Sequence, residues 1–183
     1  MVIGGAVVDI SNLKADKIAF RDASDRWHRS QRSATDPVTV ETAQIISEIA
    51  KKNLRNPLNL LGSHYATMAN NATSDVAIEN SNYYLSRLEF VRSAMLGDFY
   101  SMKVLSVSYG VAGKTNIFES AVWAYVAVEF GQGHDDYLGE MATRALGRLS
   151  SDQKDLARRR ADGLIAEIRK NRADYDKFVG TDI

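Results

Sequence analysis

The sequence contains no cysteine, no excess charge of either sign and no long apolar run. The missing cysteine excludes disulfide bonds, cysteine-ligated zinc and thiol catalysis. Lys and Arg total 23 and Asp and Glu also total 23, so no field of the whole molecule points to nucleic acid or to an anionic membrane. No stretch approaches the ~20 consecutive apolar residues of a membrane span. With 183 residues, the chain is long enough to bury a sizeable core or to form a short solenoid of helix pairs.

The first eight residues, Met1 to Val8, are apolar but lack the basic start and the longer apolar segment of a signal peptide. We therefore expect no intact signal peptide in this segment. The absence of cysteine does not fix a compartment, since exported bacterial proteins can also lack it. The sequence leaves the location open between the bacterial cytoplasm and the periplasm.

One helical-hairpin pattern occurs twice in the middle of the chain. The first copy has Leu-Gly-Ser-His-Tyr at 61–65, a polar loop and a helix-like run that ends at Gly97. The second copy has Leu-Ser-Val-Ser-Tyr at 105–109, a glycine-containing loop and a run that ends at Gly131. The two tyrosines lie 44 residues apart and the two closing glycines 34 residues apart, and both intervals are typical of helix-pair repeats. An interaction scaffold is therefore the leading interpretation.

The order Leu-Gly-x-x-Tyr, loop, Ala-x-x-Trp and Ala-x-x-x-Gly resembles the Sel-one-like repeats, a branch of the tetratricopeptide superfamily. The matching positions are Leu61, Gly62, Tyr65, Ala94 and Gly97 in the first copy, and Leu105, Tyr109, Ala121, Trp123, Ala127 and Gly131 in the second. Ser106 stands where the family has a small glycine, and the first loop is longer than usual. The resemblance covers roughly 75 residues. It implies a right-handed superhelix of antiparallel helix pairs that binds a partner, without catalysis and without a cofactor.

We therefore predict an all-α protein, a short right-handed solenoid of antiparallel helix pairs with capping helices at both ends. The expected divisions of the single domain 1–183 are N-terminal capping helices at 1–55, two repeat pairs at 56–131, a degenerate pair and capping helix at 132–172, and a loosely held tail at 173–183. Terminal repeats need such caps because their outer faces have no neighbour.

Local signals predict several details of the helices. Asp36 before Pro37 is typical of a helix start, and Ser150 with Gln153 fits a capping box. Gly62 lies inside a helix, where glycine costs ~1 kcal/mol relative to alanine, which indicates that a neighbouring helix passes close by. The second helix of the first pair is expected from about Ile78 to Leu96. Its predicted core face is Tyr84, Leu85, Leu88, Val91, Met95 and Leu96.

The repeat pattern predicts a partner-binding groove lined by the first helices of the pairs. The expected partner-binding residues are Asn59, Ser63, His64, Met102, Lys103 and Ser106. His64 is included because the two variable positions of Leu-Gly-x-x-Tyr tend to face away from the hairpin's own packing. The partner would be a protein or peptide, and the family suggests an assembly factor, a secretion-associated adaptor or chaperone, or an immunity protein.

A nucleotide-binding protein is the alternative from a different class. Residues 108–115 nearly fit the phosphate-binding pattern G-x-x-x-x-G-K-[ST], with Ser108 in place of the first glycine and Gly113-Lys114-Thr115 at its end. Val104 to Tyr109 can be interpreted as the strand that precedes such a loop. The missing glycine and the lack of other convincing strands argue against this alternative.

A metal site would need the histidines. His134-Asp135-Asp136 offers one nitrogen and several oxygens, and His64 could complete a mononuclear site. Adjacent loop residues rarely converge on one ion, however, and two aspartates before an apolar run are also what a helix start prefers. The helix start is the favoured interpretation, and no metal is expected.

Charge is unevenly distributed along the chain. Asp75 to Glu140 contains nine acidic and four basic residues, a net −5, whereas Arg144 to Arg172 contains nine basic and four acidic residues, a net +5. This asymmetry could set the faces of a homo-oligomer or steer a partner, and its simplest interpretation is a solvated helix face. Nucleic acid is not expected, because the basic stretch is short and lacks interleaved aromatic residues.

Overall fold

The structure, a computed structural model, describes residues 1–30, 36–72, 76–111, 116–131 and 136–180. Within these ranges the chain is α-helical apart from one short β-hairpin, which confirms the predicted all-α class. The elements are β1 Val2–Ile3, β2 Ala6–Val7, α1 Leu13–Arg29, α2 Pro37–Ala50, α3 Arg55–Asn71, α4 Val76–Met95, α5 Phe99–Val111, α6 Ile117–Phe130, α7 Asp136–Gly147 and α8 Ser151–Phe178. None of the helices in the described residues is both long and apolar enough to cross a membrane.

The apolar N-terminal segment forms the β-hairpin. β1 and β2 pair antiparallel around Gly4 and Gly5, whose φ angles of 56° and 79° lie in the left-handed region that glycine adopts most easily. Ile3 and Val8 are buried in the core. The segment is therefore a packing element of the fold, which its apolar composition alone did not predict.

Two predicted helix starts are confirmed in atomic detail. The Asp36 carboxylate accepts hydrogen bonds from the backbone N–H groups of Val38 and Thr39 at 2.7 and 3.2 Å. Ser150 and Gln153 form the complete capping box, because each side chain accepts a hydrogen bond from the other's backbone N–H. These bonds satisfy donors that the first turn of any helix leaves unpaired.

The buried apolar residues form two clusters. The N-terminal cluster lies mainly among α1, α2 and α3 and includes Trp27, Ile46 and Leu58. The C-terminal cluster lies among α4, α5, α6 and α8 and includes Met102 and Trp123. From α1 to α7, helices that follow each other in sequence pack against each other, whereas α8 packs on α6.

The long helix α8 joins the two clusters. Its 28 residues span about 42 Å at 1.5 Å per residue. Ala157, Ala161 and Ile168 are buried in the C-terminal cluster, and Tyr175 and Val179 are buried in the N-terminal cluster. One helix therefore contributes to both halves of the core.

The end of α8 also completes the start of α3. The Tyr175 side chain is fully buried, and its hydroxyl accepts a hydrogen bond from the backbone N–H of Arg55 at 2.9 Å. Arg55 opens α3, and the preceding residue, Leu54, has no side-chain oxygen with which to cap the helix. The Arg55 guanidinium in turn donates to Asp176 at 3.1 Å. A residue 120 positions away therefore supplies the missing cap.

The prediction of a loosely held tail at 173–183 is wrong up to residue 180. Helix α8 continues to Phe178, and residues 181–183 lie outside the described ranges. Asn171 donates to the Met95 carbonyl at 3.1 Å, and Lys17 donates to the Val179 carbonyl at 3.2 Å. The segment is held because Asn171, Tyr175 and Val179 continue the series of buried residues after Ile168 at helical spacing.

The predicted core face of α4 is also wrong in part, since Tyr84 and Leu88 are 67% and 42% exposed. The face that packs on α3 carries serines instead. The Ser86 hydroxyl donates to the Gly62 carbonyl at 2.9 Å, and the Ser93 hydroxyl donates to the Arg55 carbonyl at 2.8 Å. These two hydrogen bonds tie α4 to the backbone of α3.

The close approach predicted at Gly62 is confirmed. A Cβ atom at this position would meet the Phe90 ring at 3.1 Å, closer than an ordinary van der Waals contact. Phe90 is almost completely buried, so the ring has little room to move away. The glycine therefore makes room for an aromatic ring on α4.

Candidate partner-binding site

The predicted site residues of α3 lie on two different faces of that helix. Asn59 and Ser63 are half-buried, one turn apart on the face toward the start of α5. His64 is buried and faces α2, where it lines a cleft with Leu61 and Tyr65. The sequence analysis placed these side chains in one groove, but a step of one residue turns a helical side chain by about 100°.

Asn59 ties α3 to α5. Its side-chain amide donates to Asp98 Oδ2 at 2.6 Å and to Ser101 Oγ at 3.0 Å. The same Asp98 oxygen accepts the backbone N–H of Ser101 at 2.8 Å, so it also stabilises the first turn of α5. The first helices of the two pairs are thus held together at this point, and the amide donors of Asn59 are already engaged.

Two of the predicted contact residues on α5 are not at the surface. Met102 and Ser106 are both 0% exposed. Met102 belongs to the C-terminal cluster, and Ser106 donates to the Lys103 carbonyl at 2.7 Å. Their expected direct contact with a partner is wrong, because their spacing of one turn places both on the inward face of the helix. Lys103, between them, is half-buried.

Three of the six predicted residues therefore remain at or near the surface on adjoining first helices. We call Asn59, Ser63 and Lys103 the α3–α5 face. The side chain of Ser63 makes no hydrogen bond to another described residue, whereas that of Asn59 is positioned by Asp98 and Ser101. The face offers polar contacts on two helices whose relative position is fixed.

A cleft of about 230 Å³ lies between α2 and α3. Its apolar lining consists of Val40, Ala43, Leu61 and Met68. Its polar lining consists of Gln44, Ser47, His64 and Tyr65. None of these eight residues carries a formal charge while His64 is neutral. The α3 residues of the lining recur at the spacing of one helix face, but only the fold reveals that α2 leaves them partly uncovered.

His64 has a defined hydrogen-bonding state in this cleft. Its side chain is buried, and Nδ1 accepts a hydrogen bond from Trp27 Nε1 at 3.4 Å. Burial lowers the pKa of His64 below its usual value of 6.5, so the ring is neutral at pH 7. A neutral ring that accepts at Nδ1 carries its hydrogen on Nε2. This N–H donor has no partner among the described residues.

The described residues offer no arrangement for metal binding. No group of three or more His, Asp and Glu side chains in those ranges is placed to hold an ion. His134 and Asp135, the centre of the metal alternative, lie outside the described residues. The helix α7 begins at Asp136, as the helix-start interpretation predicted.

The strand that the nucleotide-binding alternative needs is absent at its expected position. Val104 to Tyr109 lies within helix α5, so that part of the alternative is wrong. The segment is helical because Met102, Leu105 and Ser106 are buried at helical rather than alternating spacing. Gly113-Lys114-Thr115 itself lies outside the described residues.

Ion pairs within the chain balance part of the charge asymmetry. Arg160 of α8 contacts Glu119 of α6 at 3.0 Å, and Arg169 of α8 contacts Glu129 at the other end of α6. The basic C-terminal segment therefore lies along an acidic helix of the same molecule. Arg158 and Arg159 of α8 face solvent, as expected for a solvated helix face.

No known family model matches this sequence, and comparisons with curated proteins and with solved structures find no significant match.

Proposed function

We propose that this chain is a non-catalytic helical-repeat scaffold of the Sel-one-like type, which binds a protein or peptide on its α3–α5 face. In this proposal α3 with α4 and α5 with α6 are the two repeats of a short right-handed solenoid. The helices α1, α2, α7 and α8 flank and cap them. The function requires no cofactor.

Two equivalent hydrogen bonds carry the proposal. The Ser86 hydroxyl donates to the Gly62 carbonyl in the first pair, and the Ser120 hydroxyl donates to the Ser106 carbonyl at 2.6 Å in the second. Gly62 and Ser106 lie 44 residues apart, the interval of the repeated tyrosines, and the two donors lie 34 residues apart, the interval of the closing glycines. The sequence repeat thus coincides with a repeated contact between the two helices of each pair.

The difference between the two copies is consistent with that correspondence. Phe90 lies one turn after Ser86 and fills the space over Gly62. Ala124 lies one turn after Ser120 and is buried in the second pair, where Ser106 replaces the glycine. A larger residue on the first helix is matched by a smaller one on the second, as expected when a helix-pair contact is kept at constant volume.

Binding would depend on surface complementarity rather than on chemistry. Rigid helices present the face, and a few central contacts provide most of the affinity. Ser63 and Lys103 are the residues that we assign to direct contact, and Asn59 positions the two helices. Met102 and Ser106 would act by packing beneath the surface. The roles suggested by the family are an assembly factor, a secretion-associated adaptor or an immunity protein in a bacterium, and in this proposal each would bind its partner through this face.

A displayed library of random peptides tests the proposal. Peptides selected on the purified chain are titrated against the native protein and against Ser63→Arg, which places a bulky cation on the α3–α5 face. Ser81→Arg is the matched control, because Ser81 is exposed on α4 and the change in charge and size is the same.

We expect selected peptides to bind the native chain and Ser81→Arg equally, and Ser63→Arg about tenfold or more weakly, since one lost anchor contact costs at least ~1.4 kcal/mol. Circular dichroism establishes that both variants are folded. Failure to select any peptide, or equal binding by all three proteins, would refute the proposed function.

A further inference from the structure

The cleft between α2 and α3 is partly open and is lined by both apolar and polar side chains. It combines apolar walls, an unpaired hydrogen-bond donor at its base and polar side chains at its rim. Ligand sites in proteins have this composition, mostly apolar with a few placed polar groups.

The donor at its base is fixed by the fold. His64 is 9% exposed and lines the cleft, and Trp27, itself 1% exposed, occupies the acceptor nitrogen of its ring. The remaining nitrogen, Nε2, therefore presents an N–H that no described residue satisfies. Among the described residues Arg87 Nε is the one buried side-chain polar atom without a partner, so His64 Nε2 is open to the cleft that its side chain lines. An acceptor on a ligand that occupies the cleft can therefore take the place of water at this donor.

The other lining residues indicate the polarity and charge of a ligand that fits the cleft. Val40, Ala43, Leu61 and Met68 offer an apolar surface, and no lining residue has a charge at neutral pH that could pair with a charged ligand. An ionised group would lose its hydration without compensation. The occupant is therefore an uncharged apolar group beside one hydrogen-bond acceptor.

The size of the cleft favours one amino-acid side chain. Its volume of about 230 Å³ lies below the ~300–1,000 Å³ of sites that enclose a whole drug-sized molecule. A leucine or phenylalanine side chain with its backbone carbonyl fits both the volume and the donor.

We propose that the cleft binds an aliphatic or aromatic side chain of a peptide, whose adjacent backbone carbonyl accepts the hydrogen bond from His64 Nε2. Gln44 and Ser47, whose side chains make no hydrogen bond to another described residue, bind further backbone groups at the rim. This inference deepens the proposed function and rests on it for the class of ligand. It adds an anchor on the opposite side of α3 from the α3–α5 face.

Capped amino acids test the cleft on the full chain. N-acetyl-L-leucinamide is titrated into isotope-labelled protein and followed by the amide resonances and the ring nitrogens of His64. N-acetylglycinamide is the matched probe, since it has the same acceptors but no side chain. Ser47→Leu fills the cleft, and Ser81→Leu makes the same change at an exposed position on α4.

We expect saturable shifts confined to residues of the cleft and to His64 Nε2 with the leucine probe. Binding should be about tenfold or more weaker for the glycine probe and for Ser47→Leu, and unchanged for Ser81→Leu. If Ser47→Leu does not fold, Gln44→Phe at the exposed rim replaces it.

The absence of saturable shifts up to the solubility limit would overturn the inference, as would equal binding of both probes or full binding by the filled variant. These probes are too small to depend on the α3–α5 face. Their failure would therefore remove the cleft site alone, whereas failure of the peptide selection would remove the proposed function.

Discussion

Tyr175 gives the sharpest prediction about how the fold is held together. Its ring is fully buried in the N-terminal cluster, and its hydroxyl caps the start of α3 through the Arg55 N–H. Phe178 lies in the same last turns of α8 but is 49% exposed. Substituting each by alanine compares the loss of a buried aromatic ring with the loss of an exposed one at the same end of α8.

The expected effects differ several-fold. Truncation of a buried aromatic residue costs about 3–5 kcal/mol of the free energy of unfolding. In a chain of this size each kcal/mol lowers Tm by about 2–4 °C, so we expect Tyr175→Ala to lower it by about 6–20 °C. Phe178→Ala should cost about 1 kcal/mol or less. Tyr175→Phe keeps the ring and leaves the Arg55 N–H unpaired, with an intermediate cost of about 1–3 kcal/mol.

Thermal unfolding followed by circular dichroism, with urea titrations at 25 °C, measures these differences. Similar Tm values for Tyr175→Ala and Phe178→Ala would mean that the end of α8 is not docked, and would restore the loosely held tail. A neutral effect of Tyr175→Phe, together with a large effect of Tyr175→Ala, would remove the capping role and keep the packing role.

Three further predictions concern other parts of the chain. Gly62→Ala should lower Tm because its Cβ would press on the Phe90 ring, whereas Gly163→Ala, in the middle of α8 with nothing within 4 Å, should gain up to ~1 kcal/mol in urea titrations. The lowered pKa of His64 means that below pH 6.5 the unfolded chain binds more protons than the folded chain. The free energy of unfolding should therefore fall as the pH falls from 6.5 through the folded pKa, and less steeply in His64→Gln. Neither the native chain nor Lys114→Ala should gain thermal stability from Mg-ATP, and a gain that the variant lacks would revive the nucleotide-binding alternative.

The helices were predictable wherever their signals are local. Asp36 and the capping box at Ser150 mark helix starts through contacts within a few residues, and Gly62 indicates a close neighbour because glycine is unfavourable inside a helix. The docking of α8 was not predictable in the same way. The partner of Tyr175 is a backbone N–H 120 residues away, and no local pattern specifies it.

The candidate site was predictable only to the level of the helix. The repeat pattern selected α3 and α5, but not which of their side chains face outward. Met102 and Ser106 are buried because α6 and the C-terminal cluster cover that side of α5. The cleft beside His64 depends on how α1 and α2 pack, and it includes Trp27 as the partner that orients the ring. The site forms only when α1, α2 and α3 pack together.

The position of a bound peptide tests the central proposal most directly. Amide hydrogen exchange of the native chain, measured with and without a peptide from the displayed library, reports where the peptide slows local opening. We predict slower exchange along α3 and α5, centred near Ser63 and Lys103, with α7 and the exposed side of α8 unchanged. Protection on α7 or α8 with unchanged exchange on α3 and α5 would contradict the proposal that the first helices of the pairs form the binding face.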